Sequence, residues 1–134
     1  MKRSTALQNL SRDHHVALRL ALTLKRAEPD TVAAAARALD AFLAGDGDRH
    51  FRLEEELLVP ALPPVLARRL VDEHERLRRD AAALADEPDL TAVHRAGELL
   101  AAHVRFEERE AFPALEATLT DAELDELGAA LAAA

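Results

Sequence analysis

Two stretches of this sequence carry a histidine and a glutamate at a spacing that suits the binding of a metal ion. The stretch 50–62 is answered 53 positions later by the stretch 103–115, and seven of the thirteen aligned residues are identical. The shared residues include a histidine and, four positions later, a glutamate in each stretch: His50, Glu54, His103 and Glu107. Residues at this spacing lie on one face of an α-helix, about one turn apart. Each stretch therefore directs one imidazole and one carboxylate toward a single point.

The composition limits the chemistry that such residues can perform. The sequence has no cysteine, which excludes disulfides, thiolate zinc sites and iron–sulfur clusters. Any metal must be held by histidine, aspartate and glutamate, and imidazole combined with carboxylate suits iron, manganese or zinc. The formal net charge of −8, with 17 basic and 25 acidic residues, argues against nucleic acid as a partner, because phosphate binding requires clustered basic side chains.

The elements that position these residues are predicted to be helices. Hydrophobic residues make up 49% of the chain, but aromatic residues make up only 3%. Most of the apolar residues are alanine and leucine, which favour helix. Apolar stripes with helical spacing predict helices over about 5–27, 31–60, 64–85 and 90–111. Gly45 and Gly47 weaken the second of these, so a bend is expected there. Thr120 and Glu123 have the spacing of a capping box and predict a short fifth helix over about 121–133.

Short connections between the four main helices predict an all-α fold, an up-down-up-down antiparallel four-helix bundle with a short C-terminal fifth helix. Each main helix carries one histidine in its apolar stripe: His14, His50, His74 and His103. Each histidine lies about ten residues, or about 15 Å, from an end of its helix, so all four can meet at one height. On the first helix His15 is the alternative ligand, or a residue that contacts a ligand, but the apolar stripe favours His14.

Six ionisable side chains in apolar stripes would destabilise a bundle unless something satisfied them. The predicted metal ligands are His14, His50, Glu54, His74, His103 and Glu107. Two carboxylates can bridge or terminally bind two iron ions while imidazoles complete each coordination sphere. An open position would take a small ligand such as dioxygen, nitric oxide or peroxide.

These motifs resemble those of the hemerythrin-like proteins of the HHE cation-binding domain family. The residues that carry the resemblance are the two His-to-Glu motifs, the prolines that follow them and two acidic–histidine pairs: Pro60, Pro113, Asp13 with His14, and Glu73 with His74. The resemblance spans about residues 5–116, and we expect 1–134 to be a single domain of this kind. It implies a non-haem di-iron centre, two iron ions that an oxo or hydroxo group can bridge. Oxygen binding, sensing, iron handling and detoxification are the family's roles.

The sequence departs from the oxygen carriers of that family at two places. Their third helix supplies two histidines one turn apart, whereas the residue four positions after His74 is Arg78. Their second carboxylate is an aspartate five residues after its histidine, whereas Glu107 follows His103 by four. A less saturated iron leaves an extra position for water and favours redox turnover over simple reversible oxygen carriage.

Residues near the motifs carry further expectations. His94 lies nine positions before His103, which is half a turn out of phase, so we expect it at the surface. Glu55 and Glu108 directly follow the two motif glutamates. They belong either to a solvated face or to a set of hydrogen-bond partners for the ligand imidazoles.

The sequence therefore predicts a hemerythrin-like non-haem di-iron protein that binds iron and reacts with dioxygen, nitric oxide or hydrogen peroxide in sensing, detoxification or iron handling. If the reaction is catalytic, we expect a di-iron oxidoreductase that consumes peroxide or nitric oxide. The alternative is a helical interaction module that is metal-free or holds zinc. Neither a run of about eighteen apolar residues nor a signal-peptide core is present, so a cytoplasmic location without a membrane partner is expected.

Overall fold

A computed structural model describes residues 2–134, and every regular element in that range is helical. The helices are, in chain order, α1 (Gln8–Lys25), α2 (Val32–Ala44), α3 (Asp46–Leu53), α4 (Pro64–Asp86), α5 (Leu90–Phe106), α6 (Phe112–Thr118) and α7 (Asp121–Ala133). Shorter segments are the 3₁₀ turns Thr5–Leu7 and Val59–Ala61 and the π-helical turns Glu54–Leu58 and Glu107–Ala111. Over residues 2–134, no helix combines the length and the apolar character needed to span a membrane.

The predicted helical bundle is confirmed. Around the bundle, α1 packs against α2, α2 against α4, α4 against α5, and α5 against α1. The packing of α1 against α5 depends on Gly97. A Cβ atom at that position would lie 2.8 Å from the carbonyl oxygen of Ala21 and 2.8 Å from Cβ of Leu24. The absence of a side chain therefore lets the two helices approach each other.

Two apolar clusters fill the bundle, one on each side of a polar layer. Along α1 the buried residues change from Leu10 in one cluster, through His14, to Ala17 in the other. Along α4 the same change runs from Leu70, through His74, to Leu77. The histidines therefore lie at one height along the bundle, as the helical spacing predicted.

The predicted long helix over 31–60 is wrong in one respect, because the expected bend is a break between two helices. Gly45 separates α2 from α3 and has φ −130° and ψ −117°, which are not helical values. Gly47 follows, and a Cβ atom there would come within 2.5 Å of the Phe42 ring. Gly45 therefore lets the chain leave the helical conformation. Gly47 leaves space for the Phe42 ring to pack against the backbone at the start of α3.

The fourth helix differs from the prediction at its end, because it does not stop at residue 111. The chain continues through the π-helical turn Glu107–Ala111 into α6, which ends at Thr118. Pro113 lies in the first turn of α6. A proline is tolerated there because the first N–H groups of a helix have no partner within it.

Both motif glutamates begin a π-helical turn, which the sequence did not predict. The N–H of Val59 bonds the carbonyl oxygen of Glu54, and the N–H of Phe112 bonds that of Glu107, each five residues back. In each case the next residue is the motif proline, Pro60 or Pro113. Turns of this kind within α-helices often mark functional sites.

The C-terminal helix was predicted from its capping box, which is present. The hydroxyl of Thr120 accepts from the N–H of Glu123 at 3.1 Å, and the Glu123 carboxylate accepts from the N–H of Thr120 at 2.9 Å. Helix α7 packs across the turn Thr5–Leu7, with Gly128 against Ala6. It thereby covers the end of the bundle that the first residues of α1 also close.

Candidate metal centre

The six predicted ligands lie together in the polar layer between the two apolar clusters. Their exposed fractions are 7% or less, and that of Glu54 is 0%. His14 lies on α1 and His74 on α4, and each His-to-Glu motif spans the junction of an α-helix with a π-helical turn. We call these six residues the histidine layer.

The histidine layer contains two groups that could each hold an ion, and both glutamates belong to both groups. One ligand atom from each member lies within 4.8 Å of the others. We call the group with His14 and His50 the His14/His50 half, and the group with His74 and His103 the His74/His103 half. Glu54 and Glu107 complete each half.

Glu54 directs one oxygen at each half. Its Oε2 lies 3.0 Å from Nε2 of His50, and its Oε1 lies 3.2 Å from Nε2 of His74. A carboxylate in this position can bind two ions at once, one through each oxygen.

Glu107 repeats this arrangement on the other side of the layer. Its Oε1 lies 2.7 Å from Nε2 of His14, and its Oε2 lies 3.3 Å from Nε2 of His103. The two glutamates therefore lie between the two pairs of histidines, and each faces both pairs.

Each imidazole uses its other nitrogen, Nδ1, to donate to a carboxylate outside the layer. The four bonds join His50 to Asp13, His74 to Glu55, His103 to Glu73 and His14 to Glu108, at 3.1, 2.7, 2.8 and 2.6 Å. The proton on Nδ1 is assigned from these bonds, and it leaves Nε2 facing the centre of the layer. Carboxylates that hold imidazoles in this way are a common support of metal-binding histidines.

Two further observations show that the layer fits a cation. The Nε2 atoms of His74 and His103 face each other at 3.1 Å. Glu54 Oε1 and Glu107 Oε2 are buried and accept no hydrogen bond. Buried lone pairs that lack a donor are costly, and a cation between them would satisfy all four atoms.

The electrostatics of the layer also favour positive charge. Burial lowers the pKa of the His103 imidazole, but the negative charge of Glu107, 3.3 Å away, and the hydrogen bond to Glu73 outweigh burial and raise that pKa to about 10. Burial raises the pKa of Glu107, but the neighbouring imidazoles, first of all His103, hold it well below its usual range. A cation placed beside Glu107 therefore meets an ionised carboxylate.

Arginines hold three of the four outer carboxylates. Salt bridges join Arg78 to Glu55 at 2.8 Å, Arg69 to Glu73 at 3.2 Å and Arg3 to Glu108 at 3.1 Å. Each of these guanidinium groups also lies over a phenylalanine ring: Arg78 over Phe51, Arg69 over Phe106 and Arg3 over Phe112. Phe51 stacks on His74 with ring centroids 3.8 Å apart, so the outer residues also fix the imidazole planes.

Arg78 occupies the position at which the oxygen carriers would have a histidine. Its guanidinium bonds both oxygens of Glu55 and does not contact the histidine layer. Burial raises the pKa of Glu55, but hydrogen bonds from His74 and Arg78 lower it to about 2. Arg78 thus acts on the layer through Glu55 and His74.

The fourth outer carboxylate, Asp13, is different. Its side chain is 55% exposed, and within residues 2–134 it forms a salt bridge with His50 alone. Beside it a cavity of about 230 Å³ opens between α1, the α2–α3 junction and α5. The residues that line this cavity include Asp13, Val16, Phe42, Asp46, Arg49 and His50. This cavity connects the histidine layer with the surface.

The remaining predicted residues lie outside the layer. His15 is exposed on α1 and belongs to neither half. His94 is half-buried and its Nε2 donates to the carbonyl oxygen of Ala27 at 2.8 Å, beyond the end of α1. Asp13 and Glu73 were not predicted as imidazole partners. The sequence signal that could have identified them is an acidic residue directly before a histidine. Each of them, however, bonds a histidine of another helix: Asp13 bonds His50, and Glu73 bonds His103.

Comparison with known proteins agrees with this geometry. The family model described as "Hemerythrin HHE cation binding domain" matches residues 5–129, which include the whole histidine layer and its four outer carboxylates. No curated protein and no solved structure gives a match. The chain therefore belongs to the hemerythrin HHE cation-binding domain family.

Proposed function

We propose that this protein binds two iron ions in the histidine layer and that the loaded centre reacts with dioxygen, nitric oxide or hydrogen peroxide. The observation that carries the proposal is that both buried glutamates direct one oxygen at each pair of histidines. His14 and His50 would hold one ion, His74 and His103 the other, and the glutamates would be shared. Two separate ions with unshared ligands would not need this arrangement.

Iron bound in the histidine layer would supply the electrons and the open coordination positions for the reaction with the small molecule. The protein's own residues orient and protect the centre. The outer carboxylates hold the Nδ1 protons, so that each Nε2 lone pair faces the centre. Phe51 covers His74 and Phe112 stacks on His14, which excludes water from those sides. The cavity beside Asp13 gives a small molecule its route to the layer.

The number of imidazoles supports a reactive centre over a simple oxygen carrier. Four histidines shared by two ions leave more positions open on iron than five would, and Arg78 bonds Glu55 instead of supplying the fifth. Open positions favour redox turnover. We therefore propose a role in sensing, detoxification or iron handling, and a catalytic form would be an oxidoreductase that consumes peroxide or nitric oxide.

Anaerobic reconstitution with ferrous iron tests this function. We expect about two iron ions per chain, one for each half, and a visible charge-transfer band after dioxygen is added. A content well below two iron ions per chain, or the lack of such a band, would contradict the proposal. Stoichiometric zinc in place of iron would favour the helical interaction module instead.

The same sample separates the roles that the centre could have. Prompt release of dioxygen on deaeration would identify a carrier, whereas sustained consumption of peroxide or nitric oxide would identify an enzyme. Reaction without turnover, accompanied by a change in hydrogen exchange of the helices, would identify a sensor.

A further inference from the structure

The carboxylates that support the four imidazoles are not equally constrained. The exception is Asp13, which supports His50. Glu55, Glu73 and Glu108 are each fixed by an arginine, and their side chains are 12–32% exposed. Asp13 is 55% exposed and has no such arginine within residues 2–134. The imidazole of His50 is therefore held by the least constrained carboxylate.

The aromatic ring of Phe51 also covers His50 less than it covers His74. Phe51 stacks face to face on His74 at 3.8 Å, with 6° between the ring planes. The same phenyl ring meets His50 only edge-on, at 6.4 Å and 66°. His50 therefore has more freedom to turn away from the layer than His74 has.

The cavity beside Asp13 reaches the two halves to different extents. Both histidines of the His14/His50 half line it, together with His103 and Glu107. His74 and Glu54 do not line it. Phe42 and Asp46, which flank the helix break at Gly45, form part of the cavity wall, so the cavity lies beside this break.

We propose that the two halves exchange their ions at different rates, and that ions enter and leave through the cavity past Asp13 by way of the His14/His50 half. The inference rests on the proposed two-ion centre. An ion leaves when a ligand dissociates and water takes its place. His50 is the ligand whose support is solvated and whose surroundings admit water, whereas His74 is buried beneath Phe51. Asp13 is accordingly a positioning residue that sets the exchange rate through His50.

The test follows iron release from the fully loaded protein under anaerobic conditions, with a chromogenic ferrous chelator in excess. We expect two phases of equal amplitude, one ion per chain in each, with rates at least about tenfold apart. A single phase that releases both ions together would overturn the inference and leave the two-ion centre intact. Failure to load two ions would overturn the proposed function and the inference with it.

Two matched substitutions assign the phases to the halves. Asp13→Asn weakens the support of His50, so it should accelerate the fast phase by about tenfold and leave the slow phase unchanged. Glu73→Gln weakens the support of His103 by the same chemical change, so it should accelerate only the slow phase. The inference is overturned if both variants change the same phase.

A second pair of variants tests the route without touching the outer carboxylates. Val16 and Leu18 are exposed residues of α1, at 48% and 40%, but only Val16 lines the cavity. Val16→Phe should narrow the opening and slow the fast phase severalfold, and Leu18→Phe should change neither phase. Equal fast phases in these two variants would show that ions take another route and would overturn the inference.

Discussion

Arg78 donates two hydrogen bonds to Glu55, from Nη1 to Oε2 at 2.8 Å and from Nη2 to Oε1 at 3.2 Å. The same Oε2 accepts from Nδ1 of His74 at 2.7 Å. A guanidinium that engages both oxygens of a carboxylate fixes its plane as well as its position. Arg78, which stands where the oxygen carriers of the family have a histidine, thereby orients His74.

Replacement of Arg78 should weaken metal binding although the side chain does not reach the histidine layer. Arg78→Met keeps much of the side-chain volume over Phe51 but frees Glu55, and we expect the apparent metal affinity to fall about tenfold. Arg78→Lys should lose less affinity than Arg78→Met. A lysine ammonium group still bonds the Glu55 carboxylate, although it lacks the planar fork with which a guanidinium engages both oxygens. Competition titration against a chelator measures the effect. Arg79→Met, the exposed neighbour on α4, is the control and should bind as the wild type does.

Adjacent histidines on α1 provide a sharp test of the ligand set. His14→Ala should reduce the iron content from about two ions per chain to about one, because it removes one of the proposed ligands in the His14/His50 half. It should also lower the increase in thermal stability that iron loading gives, since metal binding to the folded state adds to stability. His15→Ala should change neither quantity, because His15 is exposed. The reverse pattern, with His15→Ala losing iron, would make His15 the ligand.

Gly97 should not tolerate even an alanine. On propensity alone Gly97→Ala would stabilise α5 by about 1 kcal/mol. The new Cβ, however, would lie 2.8 Å from the Ala21 carbonyl oxygen, so we expect a net loss of about 1–3 kcal/mol in the free energy of unfolding. Chemical denaturation measures it, with the exposed Glu98→Ala on the same helix as control. A more stable Gly97→Ala variant would contradict the close packing of α1 and α5.

The capping box of α7 should make the stability of this helix depend on acid pH. Hydrogen bonds from the backbone and side chain of Thr120 lower the pKa of Glu123. A carboxyl group whose folded-state pKa is lowered contributes stability that is present above its unfolded pKa and is lost as the pH falls through its folded pKa. Glu123→Gln should therefore increase amide exchange in α7 at neutral pH but make no difference once the pH lies below that folded pKa. A difference that persists in acid would show that the carboxylate charge is not the cause.

The helical character of the chain and the histidine layer were predictable because they depend on spacing along single helices. The His50-to-Glu54 and His103-to-Glu107 motifs needed only the helical repeat to be recognised, and the heights of His14 and His74 followed from helix length. These predictions concern what one helix presents on one face. The sequence pattern was sufficient for them.

Contacts between helices were harder to predict. Asp13 precedes His14 in the sequence but bonds His50, and Glu73 precedes His74 but bonds His103. The helix that each of these carboxylates contacts depends on how the helices are rotated about their axes in the bundle. The residue spacing within one helix does not specify that rotation. The π-helical turns were missed for a related reason, since the wide turn at Glu54 or Glu107 follows from backbone geometry that residue spacing does not specify.

The carboxylate–imidazole bonds around the histidine layer form a closed circuit. α1 reaches the motif of α3 through Asp13, that motif reaches α4 through Glu55, α4 reaches the motif of α5 through Glu73, and that motif returns to α1 through Glu108. A shift of any one helix along the bundle by a turn would break two of the four bonds. The circuit thus determines the register in which the helices pack against one another. It fixes their relative heights through contacts that involve no ion, so the six residues of the histidine layer are held at matching levels by the protein alone.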